Sequence, residues 1–130
     1  MHTLSFVSII IPSRNEEKFI KGCLDSLLDQ DYPRDRIEIL VVDGESEDKT
    51  QEIVKGYVKK FPFIKLLHNP RKLTPFAMNI GIKKASGDII SKTDAHAVYP
   101  EDYISKSVEY LSKYNTDCVW GVALSKPILD

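Results

Sequence analysis

Val7-Ser8-Ile9-Ile10-Ile11-Pro12-Ser13-Arg14-Asn15-Glu16 is the stretch whose reading decides the fold. Val7 to Ile11 is β-branched and almost wholly apolar, the pattern of a strand covered by protein on both faces, as in a parallel sheet flanked by helices. It has no basic run before it and no small-residue cleavage site after it. It runs straight into a polar turn, so it reads as a buried strand and not as the core of a signal peptide.

Strand and helix patterns alternate from there. Glu16 to Leu28 carries Phe19, Ile20, Cys23, Leu24, Leu27 and Leu28, one apolar face at helical period, and Asp31-Tyr32-Pro33 breaks it. Ile37 to Val42 is a second buried strand. Asp48 stands where it can cap a second helix, with Gln51 three residues on in a capping-box arrangement and Ile53, Val54, Tyr57, Val58 and Phe61 as the inner stripe. Phe63 to Leu67 is a short third strand. Thr74-Pro75 offers an N-cap and a first-turn proline to a helix reaching about Ala85, with Gly87 as its C-terminal glycine. Ile89 and Ile90 begin a fourth strand, and Pro100 opens a helix with Tyr103, Ile104, Val108 and Leu111 facing inward. Cys118 to Val122 reads as a fifth strand.

The order βαβαβαβαβ calls for an α/β fold, three layers α/β/α around a mainly parallel sheet with right-handed crossovers. No repeat, low-complexity tract or linker interrupts it, so residues 1–130 form a single domain. The tail Leu124 to Asp130 supplies neither a capped helix nor a closing strand, which marks the chain as the front part of a longer protein.

Composition narrows the class. The chain has 130 residues, 42% of them hydrophobic, enough for one real core. A formal charge of -1 argues against a nucleic-acid scaffold, which needs a basic face. Lys59-Lys60 and Lys83-Lys84 read as solvated helix faces. Cys23 and Cys118 lack CxxC spacing and read as reduced thiols of a cytoplasmic protein, not as a disulfide or zinc site. No segment approaches the roughly 20 apolar residues of a membrane helix.

Three polar clusters follow three strands: Pro12-Ser13-Arg14-Asn15-Glu16, Asp43-Gly44-Glu45-Ser46 and Asp94-Ala95-His96. Parallel strands all end at one edge, where open α/β sheets place their ligands, so clusters distant in sequence converge there. Several chemistries are missing. There is no GxGxxG after the first strand, no GxxxxGK[ST], and no GxSxG elbow. What remains is a loop rich in hydrogen-bonding side chains, an Asp suited to a base or sugar, and an Asp-x-His pair suited to a divalent ion. An ion bridging two phosphates would stabilise a departing nucleoside diphosphate.

Val7 to Glu17 with Glu38 to Thr50 resembles the opening of the family 2 glycosyltransferases. Ala77-Met78-Asn79-Ile80-Gly81 and Ser86-Gly87-Asp88-Ile89-Ile90 resemble the family's middle segment, and Asp94-Ala95-His96 sits where its DxD motif belongs. The resemblance covers residues 5 to about 121, and Asp94 to Pro100 is most similar to the exopolysaccharide-building, succinoglycan-type branch. It implies the Rossmann-like GT-A fold of nucleotide-diphospho-sugar transferases, and the chain would be their nucleotide-sugar-binding front part. It implies that Pro12, Arg14 and Glu16 line the nucleotide pocket, Glu16 near ribose or base, and that Asp43 accepts from the base, uracil in most members. Arg71 and the helix opened by Thr74 would lie near the nucleotide, with Asn79 supporting that wall and Ala95 within the motif. Asp94 would bind ribose or the ion, and the third motif position would hold Mn²⁺ or Mg²⁺. The partners implied are a nucleoside-diphosphate sugar, a UDP-sugar first, and a glycan or lipid-linked acceptor, at the cytoplasmic face of a membrane if the remaining part of the protein attaches there.

Two departures from the family pattern stand out. The third motif position is His96, not Asp; imidazole suits Mn²⁺ better than Mg²⁺, so Mn²⁺ is favoured, with Asp94 and His96 as its ligands. A protonated His96 bonding a phosphate oxygen directly is the other role for this position. The family's general base lies beyond the motif, and inverting transfer needs a carboxylate opposite the leaving group. Asp117 and Asp130 are the carboxylates after Glu109, and neither suits that role, so the catalytic residue is unassigned. The expected function is the donor half of an inverting glycosyltransferase. A non-catalytic nucleotide-sugar-binding module is the alternative. A sugar nucleotidyltransferase would open with a glycine-rich loop that Pro12 to Asn15 does not form. Trp120, Tyr99 and Tyr103 read as packing residues.

Overall fold

The computed structural model describes residues 4–117. Four strands, β1 (Val7–Ser13), β2 (Ile37–Asp43), β3 (Ile64–His68) and β4 (Ile89–Lys92), form one sheet in the order β3-β2-β1-β4, every pair parallel. The α/β class with a parallel sheet read from the sequence is the observed one. The expected strand Cys118 to Val122 and Trp120 lie outside the described residues.

β1 and β2 sit at the centre because their apolar side chains are covered on both faces of the sheet. Ile9, Ile10, Ile11, Ile39, Leu40, Val41 and Val42 are all fully buried. Burial of each contributes about 1.5–3 kcal/mol. Alternation sends Ile9, Ile11, Ile39 and Val41 to one face, against α1 (Ile20–Leu28), α2 (Thr50–Lys60) and the start of α4 (Tyr103–Lys113). Ile10, Leu40 and Val42 go to the other face, under Ala77 of α3 (Thr74–Lys84). The layers are therefore three helices, the sheet, and one helix.

Several local features differ from the sequence reading. The N-cap of α3 is Leu73, not Thr74, which is the first helical residue, and no side chain caps this helix. α1 begins at Ile20 instead of Glu16, because Asn15 turns the chain at φ 53 and residues 17–19 form a turn closed by Phe19 N–H and Ile20 N–H on the Glu16 carbonyl. Gln51 does not close a capping box; its amide donates to Asp43 Oδ2 at 2.7 Å, while Asp48 Oδ1 accepts the Thr50 N–H at 2.9 Å. Gly87 does not end α3 in a left-handed turn, since no glycine has a positive φ among the described residues.

Gly87 serves a close approach instead. A Cβ there would lie 2.6 Å from Ser8 Oγ, 2.7 Å from the Phe6 carbonyl oxygen and 2.7 Å from the Ser8 nitrogen. Its N–H donates to Ser8 Oγ at 2.8 Å, and that hydroxyl donates to the buried Glu38 carboxylate at 2.6 Å. The same Glu38 oxygen accepts the Ser86 N–H at 2.6 Å. A buried carboxylate is tolerable when its lone pairs are filled in this way. The network fastens the α3–β4 connection to the amino ends of β1 and β2 and thereby sets the level at which β4 enters the sheet.

Cys23, on the sheet-facing side of α1, is fully buried and donates to the Asp94 carbonyl at 3.4 Å. Burial, with the carboxylates of Asp94 and Glu16 adding to it, pushes its thiol up to about 12. No helix of the described residues is long and apolar enough to cross a membrane.

Gly87→Ala should destabilise the fold by about 1–3 kcal/mol, because the clash is with backbone and cannot be relieved by a rotamer; a lower urea midpoint at unchanged slope is the readout. Cys23 should resist iodoacetamide at pH 9 in the folded protein and react in urea, as peptide mass mapping would show. A thiol pKa raised on folding favours the folded state fully below the ordinary thiol pKa, and that contribution is lost as pH rises through about 12.

Candidate functional site

The carboxyl edge of the sheet is built by interlocked loops. In the β1–β2 register Ser13 is level with Asp43, so both strands end together. The Asn15 N–H donates to Ser46 Oγ at 2.9 Å, Glu16 N–H to Thr50 Oγ1 at 2.8 Å and Glu17 N–H to Asp48 Oδ2 at 3.2 Å. In return the Glu47 N–H donates to Asn15 Oδ1 at 2.8 Å and the Lys49 N–H to Glu17 Oε2 at 3.4 Å. Amides left over before α1 are thus satisfied from a loop some 30 positions away, a service that helix starts usually obtain locally.

Asp43 is the knot of that lacing. It is 2% exposed; Oδ2 accepts from the Ser46 N–H at 2.9 Å and from Gln51, and Oδ1 accepts from Ser46 Oγ at 2.5 Å. Asn15, Glu45 and Lys72, in the loops after β1, β2 and β3, take left-handed backbone at φ 53, 58 and 67. Such conformations cost non-glycine residues of order 1–3 kcal/mol and persist where their surroundings hold them. Glu45 is held by His68 at 3.5 Å and Lys72 at 3.7 Å. Gly44 lets Lys72 close in, since a Cβ there would lie 2.9 Å from the Lys72 carbonyl oxygen.

Beyond β4 burial alternates, with Thr93, Ala95, Ala97 and Tyr99 buried and Lys92, Asp94, His96 and Val98 exposed, while Ala95 and His96 form a turn in which the Ala97 N–H donates to the Asp94 carbonyl at 3.2 Å. α1 holds the buried side. Tyr99 turns back so that its oxygen accepts the Asp94 N–H at 2.7 Å, and its own N–H donates to Ser26 Oγ at 3.0 Å. Gln30 donates to the Pro100 carbonyl at 2.6 Å and accepts the Ile104 N–H at 2.9 Å. Tyr99 therefore positions the Asp94 backbone, a role the sequence did not disclose; burial raises its hydroxyl pKa.

A cavity of about 260 Å³ opens at this edge, walled by Pro12, Ser13, Arg14, Glu16, Val42, Asn69, Lys72, Thr74, Ala77, Lys92, Asp94, Ala95 and His96. His96 Nδ1 lies 3.3 Å from Glu16 Oε1. A carboxylate can only accept, so in this contact Nδ1 is the donor and Nε2 is the nitrogen that Glu16 does not engage. Ser13 Oγ is buried without a hydrogen-bond partner among the described residues, as is Thr93 Oγ1.

Of the residues singled out from the sequence, the structure brings Pro12, Arg14, Glu16, Asp94, Ala95 and His96 to this wall. It does not bring Asp43, Arg71 or Asn79 there. Asp43 is drawn inward by Ser46 and Gln51. Arg71 lies 4.7 Å over the Phe76 ring and, with Asn79 and Lys83, lines an adjoining depression of about 310 Å³. Ser13, Asn69, Lys72 and Lys92 are wall residues that sequence reasoning did not assign. A strand-end position for Ser13 and the alternation Lys92-x-Asp94-x-His96 were the available signals.

The family described as glycosyl transferase family 2 matches residues 8–128. A dolichyl N-acetyl-alpha-D-glucosaminyl phosphate 3-beta-D-2,3-diacetamido-2,3-dideoxy-beta-D-glucuronosyltransferase of Methanococcus voltae is 43% identical over 108 residues, covering 82% of this chain and 34% of its own length. The mannosyltransferase PcManGT of Pyrobaculum calidifontis, in complex with GDP-Man and Mn²⁺, superimposes with a TM-score of 0.78 at 34% identity, covering 83% of this chain and 32% of that one. TarS 1-349 of S. aureus, in complex with UDP-GlcNAc, gives 0.75 at 28% identity over 86% of this chain and 32% of that one. The chain thus spans about a third of the length of the relatives it matches. With a parallel α/β sheet, a polar cavity at its carboxyl edge and these matches, the chain belongs to the family 2 glycosyltransferases and has their GT-A fold.

Proposed function

We propose that this chain holds the donor of a glycosyl transfer, a nucleoside-diphosphate sugar, at the cavity between β1, β4 and α3. The observation that carries the reading is the juxtaposition of Arg14, Glu16, Asp94 and His96 on one wall. Solved relatives with GDP-Man and UDP-GlcNAc bound support the ligand class. A base contact at Asp43 would require Gln51 to release Oδ2 or the ligand to use the remaining lone pair of Oδ1. Arg71 and Asn79 would meet the ligand only where it extends past Asn69, which lines both hollows.

The donor set fits a divalent cation. Asp94 and His96 are both exposed in one tight turn and line the same cavity, and Glu16 orients the imidazole through Nδ1, an arrangement common behind metal-bound histidine. Among the described residues no group of three His, Cys, Asp or Glu side chains is placed to hold an ion. An ion held by Asp94 and His96 would thus need oxygen donors from the ligand, which a diphosphate provides. Bound there, Mn²⁺ would supply Lewis-acid stabilisation of the departing diphosphate. Glu16 and Tyr99 would hold His96 and the Asp94 backbone in place during that step. The general base of an inverting transfer is not assigned to any residue. Asp117 is exposed beyond the carboxyl end of α4. A glycan or lipid-linked acceptor and a cytoplasmic setting complete the proposal.

Titration calorimetry with UDP and GDP, each with Mn²⁺, Mg²⁺ or EDTA, tests it. Binding of one nucleotide, strengthened by Mn²⁺ more than by Mg²⁺, is expected; no binding of either nucleotide under any condition would falsify the donor site. His96→Ala should weaken the Mn²⁺-dependent increment by about 10- to 100-fold, and His96→Asp should move the preference toward Mg²⁺. An unchanged metal dependence in both variants would remove His96 from the metal site.

A further inference from the structure

Lys92 is the last residue of β4 and stands two positions before Asp94. In the β1–β4 register it is level with Ile10, whose side chain packs under α3. Level neighbours in a parallel pair point to the same face, so Lys92 projects on the α3 side of the sheet. Asp94 follows two positions on and His96 lies in the turn after it, the three exposed while Thr93 and Ala95 between them are buried. All three line the cavity. At about 3.3 Å of rise per residue, Lys92 and Asp94 start roughly 7 Å apart, a span that a phosphate can fill between an ammonium and a carboxylate-held ion.

The charges around the cavity make this arrangement purposeful. Its wall carries Arg14, Lys72 and Lys92 against Glu16 and Asp94. Lys72 is paired with Glu45 at 3.7 Å, and Glu16 faces His96. Lys92 has no ion pair among the described residues. Neighbouring β4 positions on its face offer none either: Ile90 is apolar and 41% exposed. With imidazole in place of a second carboxylate, the wall is left with less negative charge to offset a cation of its own.

We propose that Lys92 is a diphosphate-binding residue. Its ammonium gives the anion a fixed positive charge, so that nucleoside-diphosphate binding retains a part that needs no divalent ion. The inference rests on the donor-site reading above and assigns the phosphate end of that site. Lysine suits the role as a point charge on a flexible stem, where arginine would give a bidentate fork.

Calorimetric titration of UDP, GDP, uridine and guanosine into the full chain, first in excess EDTA and then with Mn²⁺, separates the two readings. Wild type should bind UDP or GDP in EDTA. Lys92→Gln should weaken that binding about tenfold or more, the loss expected for one charge-assisted hydrogen bond. Uridine and guanosine should bind both proteins alike, and Lys92→Arg should recover most of the loss. Equal diphosphate binding by wild type and Lys92→Gln in EDTA overturns the proposal, as does an equal loss for the nucleosides, which would report a structural defect. Diphosphate binding by wild type with Mn²⁺ alone also overturns it while the donor site stands. No diphosphate binding in any condition overturns both.

Discussion

The parallel pairing of β1 with β2 is the constraint on which the rest of the structure depends. Seven residue pairs, Val7 with Ile37 through Ser13 with Asp43, lock two strands whose side chains are almost all buried on both faces. A shift of one residue would exchange the Ile9 and Ile10 faces and bring Ser8, Glu38 and Asp43 to the wrong layers. Because the register is so strongly set, both strands stop at one level, and the loops that follow meet side by side. That meeting allows the exchange of hydrogen bonds between residues 15–17 and 46–50.

The site inherits its rigidity from this base by two routes. On the β2 side, Asp43 anchors Ser46, and Ser46 anchors Asn15, so the backbone carrying Arg14 and Glu16 is tied to the sheet. On the β4 side, Cys23 and Ser26 of α1 and Gln30 just beyond its end form a row of partners for the Asp94 to Ile104 segment. The polar groups that face the cavity can then remain uncommitted. Arg14, Lys92 and the Asp94 carboxylate make no side-chain hydrogen bond or ion pair among the described residues, and Ser13 keeps a buried hydroxyl without a partner. Hydrogen-bonded loops behind and uncommitted charged side chains in front are the distribution expected of a preorganised ligand site.

How far this was legible from sequence depended on the range of the interactions involved. The strands β1 and β2 and the inner stripe of α2 were readable because burial imposes a short-period pattern on neighbouring residues. The start of α1 was not, because what ends the turn before it are hydroxyl and carboxylate groups of Ser46, Thr50 and Asp48. Gln51 matched a capping box by spacing, yet Asp43, buried eight positions earlier, offers its amide a stronger acceptor. Gly87 looked like a helix terminator, while its real service is to admit the backbone of residues 6–8. Lys92 resembled any polar residue at a strand end until register and alternation placed it with Asp94 and His96.

The sequence by itself determined the alternation of elements, the parallel sheet, the edge where polar loops gather, and the family resemblance that Asp94-Ala95-His96 completes. These follow from local periodicity and from residue types at short spacing. Only the tertiary structure decided which of those polar residues face one another. It turned Asp43 inward and set Arg71 and Asn79 beside an adjoining hollow. It joined Glu16 to His96 across 80 positions and made Lys92 a neighbour of Asp94 on the cavity wall. The reason is physical: a side chain's direction is set by strand register and by partners brought from distant loops, and neither is encoded in its immediate neighbours.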